Sequence, residues 1–314
     1  MTWVTAETKL DFFPHPLPHR ILPPLQKQAP CKMMGRIGFG PRPFVLVPLY
    51  IYPSPKSWEP LFVAARSYPS QEFVVIVNPD NGPGSFPAPD CNYLRDLLEL
   101  SSLNNVTILG YIYCSYGDRT LAEMETDIQV YRGWIGQSVC LPDPRQPEAD
   151  SSKSTPGGSV RIDGIFIDEV PFETEYIDYL TSISQVVKES LGGSDKGPSI
   201  VIYNPGIFVE PAFYGLADYI VVFENAASEW GSQYVRENLA QLTQDLRRRS
   251  VAIAHSQGCI EEQLQFREDV VSAGFAGHFS TAMPGYTRFC TNWEDYIRDV
   301  DDGWSKTKRD TMQI

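Results

Sequence analysis

Two apolar runs that stop on carboxylates constrain this chain more than any other feature. They are Gly164-Ile165-Phe166-Ile167-Asp168-Glu169 and Asp218-Tyr219-Ile220-Val221-Val222-Phe223-Glu224. A short β-branched run bounded by turn residues is what a strand buried on both faces looks like, and such strands belong to parallel sheets. Carboxylates at the end of a buried strand are costly to desolvate unless something offsets the cost. In parallel α/β proteins that edge of the sheet is where active sites are built. For either run alone a plainer reading stands beside this one, with Asp168 capping the next helix and Glu224 in a salt bridge. Their recurrence at two strand ends favours acid–base or nucleophilic chemistry.

The same kind of run recurs along the chain. Candidate strands are Phe44–Tyr50, Phe73–Asn78, Val106–Tyr113, Gly164–Asp168, Ser199–Asn204, Tyr219–Phe223, Val251–His255 and Gly277–Thr281. Helical patterns lie between them. Thr120-Leu121-Ala122-Glu123 is a capping box ahead of Leu121, Met124, Ile128 and Tyr131. Thr174–Leu191 carries an apolar stripe that stops at Gly192-Gly193. Val235, Leu239, Leu242 and Leu246 form another stripe, and Gln263–Ala273 a shorter one. Strands alternating with helices in this number predict an α/β fold, a single (β/α)8 TIM-type barrel. The competing doubly wound sheet would carry a glycine-rich phosphate turn after an early strand, and none is found.

The expected organisation is a Pro-rich, disordered or loosely packed lead-in over 1–42, a barrel over 43–303 and a polar tail over 304–314. Gly35–Gly40 lacks the strand and helix that a phosphate loop needs and reads as linker. Leu141–Ser159, rich in Pro, Ser and Gly, reads as a surface insertion before the fourth strand.

Composition removes several function classes. The net charge of −13 and the thin spread of Lys and Arg argue against nucleic acid as a partner. No stretch approaches the ~18 apolar residues of a membrane span. The first forty residues lack the apolar core of a secretory signal. Six cysteines, at 31, 91, 114, 140, 259 and 290, permit disulfides without forming a dense framework. Asn105-Val106-Thr107 is a glycosylation sequon, meaningful only on the secretory route. His255 and His278 sit in no metal-binding spacing, so no metal or other cofactor is expected. G-x-S-x-G is absent, and strand alternation should point His255 and Ser256 apart rather than join them as a dyad. Nothing in the sequence sets the oligomeric state.

On a barrel, the strand ends line one mouth. They supply Tyr50 and Tyr52, Asn78 and Asp80, Tyr113 and Tyr116, Asp168 and Glu169, Asn204, Glu224 and Asn225, His255 and Thr281. Taken singly, each Tyr or Asn is as well explained by packing or a turn. Together they suit a neutral polyhydroxylated ligand, aromatic faces stacking on a sugar ring while amides and carboxylates bond its hydroxyls. Asp168 and Glu169 are consecutive, so their side chains diverge unless the chain bends, and Glu224 is the natural partner for one of them.

At these residues the chain resembles the spherulin-4 family of fungal and slime-mould proteins. The resemblance rests on Val47-Pro48-Leu49-Tyr50-Ile51-Tyr52-Pro53, Asn78-Pro79 with Gly82-Pro83-Gly84, Gly110-Tyr111-Ile112-Tyr113 with Tyr116-Gly117 and Arg119, Asp163–Glu169, Tyr203-Asn204-Pro205-Gly206, and Phe223-Glu224. It covers most of the expected barrel. It implies a (β/α)8 barrel, an acidic trio at Asp168, Glu169 and Glu224, and an endo-α-1,4-N-acetylgalactosaminidase acting on a galactosaminogalactan-type polysaccharide. It also implies an exported or membrane-anchored protein. The alternative is a catalytically silent carbohydrate-binding or spore-coat protein on the same barrel. For an enzyme, carboxyls about 5–5.5 Å apart imply retention and about 6.5–9.5 Å inversion. Strands four and six leave both open, with retention favoured and with Asp168 as nucleophile or base, Glu169 exchangeable for it, and Glu224 as acid.

Overall fold

Eight short, apolar, β-branched segments pair side by side, each parallel to the next, and the eighth closes on the first. They are β1 (Phe44–Leu49), β2 (Phe73–Val77), β3 (Val106–Tyr113), β4 (Gly164–Asp168), β5 (Ile200–Tyr203), β6 (Tyr219–Ala226), β7 (Ser250–His255) and β8 (Gly277–Ser280). This computed structural model describes residues 42–84, 88–140, 158–194, 197–256 and 258–301. Nearly all of the lead-in, most of the insertion at 141–157 and the tail lie outside the described residues.

The expected strands are present with ends displaced by three residues at most. The largest change is β6, which runs on through Glu224 to Ala226. An irregularity between Val221 and Phe223 shifts its register against β7. A shift of this kind re-aims the following side chains. Phe223 packs outward against Trp230 and Phe266, and Glu224 is left facing the barrel interior.

The helices are α1 (Glu59–Ser67), α2 (Cys91–Ser102), α3 (Leu121–Trp134), α4 (Ile177–Leu191), α5 (Gln233–Gln241), α6 (Gln244–Arg247) and α7 (Ile260–Ser272), followed by a helix over 293–301. The capping box at Thr120 and Glu123 is formed in both directions. Helix α4 ends on Gly192 at φ +68, a conformation that glycine adopts without steric cost. The stripe from Val235 to Leu246 makes two helices rather than one. The chain turns extended at Leu242, and the Thr243 hydroxyl caps α6 by accepting from Leu246 N.

One contact between layers shapes the mouth. The β2–β3 pairing ends at Val77 and Gly110. Beyond it, the Tyr131 hydroxyl from α3 accepts from Tyr111 N at 3.1 Å and lies 3.1 Å from Val77 O. Gly110 makes room for that ring, because a Cβ there would sit 2.7 Å from it. The ladder stops there while its last backbone groups stay satisfied.

The structure adds detail to two features of the sequence. Cys91 and Cys140 form a disulfide across 49 residues. The Asn105 sequon is closed, since its side-chain nitrogen is buried and donates to the carbonyls of Ala65, Tyr68 and Gln71.

Candidate active site

The end of β4 is bent, and the bend decides where its acids go. Glu169 has φ +53, a left-handed conformation uncommon for a residue with a Cβ. The loop after β3 mirrors it, with Ser115 and Tyr116 at φ +48 and +54. The two bends clasp each other: Cys114 N donates to Asp168 O at 3.0 Å, and Tyr116 N to Glu169 O at 2.7 Å. The buried Cys114 thiol adds a contact to Glu169 O at 3.1 Å. Strain of this kind persists only where surrounding structure enforces it, and it clusters at functional sites.

The bend turns the Asp168 carboxylate into three donors. Its Oδ1 accepts from Glu169 N at 2.9 Å and from Asn204 Nδ2 at 2.7 Å, while Oδ2 accepts from the Tyr111 hydroxyl at 2.8 Å. Glu224 stands opposite, buried. Its Oε1 accepts from the Tyr286 hydroxyl at 2.7 Å, and its Oε2 accepts from the same Asn204 Nδ2. One amide nitrogen therefore holds both carboxylates. Because both oxygens are bonded to the same nitrogen, they lie no more than about 5 Å apart.

Burial raises both acids, and their partners set them apart. Glu224 is pushed from an ordinary 4.5 to about 7, by desolvation first and by the Asp168 charge second, against the pull of Tyr286 and Asn204. Asp168 is also raised by desolvation, and its backbone and side-chain donors oppose the rise. The two titrate as a pair. Asp168, with three donors, is the better-stabilised anion, and Glu224 is the better proton holder.

Tyr50 fills the space between the two acid–tyrosine pairs. Its ring meets Tyr111 and Tyr286 edge-on at 5.3 and 5.6 Å. Burial, then the charges of Asp168 and Glu224, hold its hydroxyl protonated far above the usual range. Tyr116 is 51% exposed, and Glu169, Asp168 and Glu224 all act on its hydroxyl, whose pKa rises to about 12 chiefly through burial. Tyr116 is thus an open aromatic surface beside the acids.

The remaining rim residues have other engagements. Tyr52 donates to Asp90, the N-cap of α2, at 3.1 Å and accepts from Asn92 at 2.9 Å. Asn78 Oδ1 accepts from Gly82 N at 2.9 Å, and Asp80 N donates to Gly82 O at 3.1 Å, both inside one turn. The Tyr113 ring lies 4.6 Å below the Arg119 guanidinium. Thr281 is buried, and its hydroxyl accepts from Met283 N at 3.2 Å. His255 departs from the expectation of divergence: Ser256 adopts φ +56, which brings its hydroxyl 3.0 Å from His255 Nδ1.

Sequence reasoning missed Tyr111 and Tyr286. Tyr111 lies inside a strand run, where Gly110 beside it was the available signal of a close approach. Tyr286 follows the Pro284-Gly285 turn after β8 and carries no periodicity. Among the described residues, no group of three or more His, Cys, Asp or Glu could hold a metal ion, and no helix is long and apolar enough to cross a membrane.

The class is now defined: a closed (β/α)8 barrel with a tyrosine-backed carboxylate pair at the carboxyl end of its strands. The model of spherulation-specific family 4 matches residues 44–300, and the chain belongs to that family. Spherulin-4 of Physarum polycephalum is 28% identical over 190 residues, 60% of this chain and 47% of that protein. The chain thus spans about half the length of this curated relative. Among solved structures, Sph3 of Aspergillus clavatus, crystallised in complex with GalNAc, matches with a TM-score of 0.68 at 29% identity, over 83% of this chain and 98% of that one.

Proposed function

We propose that this chain is an endo-acting glycoside hydrolase that cleaves α-1,4-linked N-acetylgalactosamine in a galactosaminogalactan-type polysaccharide. The observation that carries this reading is the single Asn204 amide joining half-buried Asp168 to buried Glu224. Glycoside hydrolysis needs one carboxyl protonated and a second ionised within reach of the same sugar. A Glu224 pKa of about 7 beside an Asp168 whose anion is held by three donors supplies that difference at neutral pH. The family membership and the likeness to Sph3, solved with GalNAc, support the sugar class.

In this mechanism the Asp168 carboxylate attacks C1 from the face opposite the leaving oxygen, and Glu224 gives its proton to that oxygen as the bond breaks. Water then displaces Asp168 from C1 and gives a proton back to Glu224. In an α-linked sugar the 2-acetamido group lies cis to the leaving oxygen and cannot displace it from behind, so an enzyme carboxylate or a water that it activates must take that face. Two carboxylates close enough to share one amide nitrogen favour this two-step, retaining route, whose carboxyls stand about 5–5.5 Å apart, over inversion at about 6.5–9.5 Å. Glu169, held in the bend, would orient substrate hydroxyls, and the open face of Tyr116 would stack on a sugar ring. The disulfide suits an oxidising compartment.

Incubating pure protein with purified polymer and measuring reducing ends tests the proposal. Release of oligosaccharides supports it. Binding without release between acid and neutral pH would instead identify a carbohydrate-binding protein on the same barrel.

A further inference from the structure

The two oxygens of Glu224 are bonded by groups of different kinds. Oε2 accepts from Asn204 Nδ2, which can only donate. A carboxyl oxygen that carries a proton is a poor acceptor, so Oε2 is best kept as the carbonyl-like oxygen. Oε1 faces the Tyr286 hydroxyl at 2.7 Å, and a hydroxyl can donate or accept.

We propose that Tyr286 is the positioning residue for the transferable proton of Glu224, which is carried on Oε1 against the Tyr286 hydroxyl until a glycosidic oxygen takes it. This deepens the hydrolase reading above and rests on it for the last step only. When Glu224 is ionised, Tyr286 donates to Oε1. When Glu224 is protonated, the Tyr286 hydroxyl turns about its C–O bond and accepts from Oε1. No heavy atom moves between the two states, and a catalytic cycle passes through both.

The surroundings fit a fixed partner. Tyr286 is buried, with its ring edge-on to Tyr50 at 5.6 Å and to Phe279 at 6.0 Å. Its own proton is retained, because burial and the nearby Glu224 charge raise its pKa well above the ordinary value. The titratable groups facing Glu224 come from every side of the mouth. They are Asp168 from β4, Tyr286 from the loop after β8 and Tyr50 from the end of β1, with Tyr116 in the loop after β3. Tyr111 on β3 is committed to Asp168, Glu169 acts on Tyr111 and Tyr116, and His255 on β7 pairs with Ser256. Tyr286 is thus the hydroxyl committed to Glu224.

The test is Tyr286→Phe, which keeps the ring and removes the hydroxyl. The ionised carboxylate loses a donor, so the Glu224 midpoint should rise by about one pH unit. Two readouts follow it. In the free protein, the 13C-labelled Glu224 carboxyl, assigned with Glu224→Gln, is titrated by NMR; this needs no substrate and stands even if no hydrolysis is found. In the active enzyme, the basic limb of the kcat/KM profile should move up by the same amount, whereas Tyr111→Phe should move the acid limb. A second variant, Tyr286→3-fluorotyrosine, keeps the shape with a stronger donor and should move the midpoint down. Midpoints unchanged in both Tyr286 variants, with melting preserved, would overturn the proposal.

Discussion

The raised Glu224 implies that this protein is built less stable than it could be, by an amount that depends on pH. In the unfolded chain this carboxyl titrates near 4.5, and in the fold it titrates at about 7. Between those values the folded protein holds a proton that the unfolded chain has released. Stability therefore falls as pH rises through that window and levels off above it. The gap corresponds to about 3 kcal/mol. Glu224→Gln removes it, because glutamine is neutral at every pH and resembles the protonated acid in shape. Its carbonyl can take the Asn204 bond, and its amide can donate to Tyr286 once that hydroxyl turns. Urea unfolding near pH 4 should find the variant about as stable as the parent. Near pH 8.5 it should be more stable by about 3 kcal/mol, or about 5 °C in melting for a barrel of this size. Turnover should fall by about 10²–10⁴-fold at the same time. A gain equal at both pH values, or none at pH 8.5, would refute the reasoning that burial of an ionisable acid sets this cost.

Other consequences are open to measurement. Asp168→Asn should keep the fold and lose about 10²–10⁴-fold in turnover, and NMR of the parent enzyme's first-formed product should show the α-anomer. Gly110→Ala would drive a Cβ to 2.7 Å from the Tyr131 ring and should cost about 1–3 kcal/mol, read by chemical denaturation. Breaking Cys91–Cys140, whose partners lie 49 residues apart, should cost up to about 4 kcal/mol if loop entropy dominates. Folded protein secreted from a glycosylating host should show by mass spectrometry no glycan on Asn105, whose amide is buried under three carbonyls.

Strands were the most legible level of this chain, because a run buried on both faces leaves a continuous apolar signal in the sequence. Asp168 and Glu224 stood out for the same reason, as acids interrupting such runs. What escaped was geometry set by contacts between distant segments. The left-handed bend at Glu169 depends on a mirror bend at Ser115 and Tyr116, more than fifty residues earlier. Nothing local in Asp168-Glu169 announces it. The break at Leu242 hid inside an unbroken apolar stripe, where the cap at Thr243 outweighed periodicity. Tyr286 reaches Glu224 only after the turn beyond β8, and a lone tyrosine in a loop has no pattern to read. Tyr52 and Asn78 lay where binding residues were expected, yet their polar atoms hold a helix start and a turn.

The Tyr131 hydroxyl, seated where the β2–β3 ladder stops, has a consequence for how this sequence can change over time. Removing it strands Tyr111 N and Val77 O inside the protein, and enlarging Gly110 expels the ring that carries it. Each change alone passes through a damaged intermediate, so the two positions can drift only as a couple. The next residue along the strand, Tyr111, is the one that grips Asp168. A residue on an outer helix is thereby tied to the carboxylate pair by inheritance. Relatives that lose the acids should show this pair loosened as well.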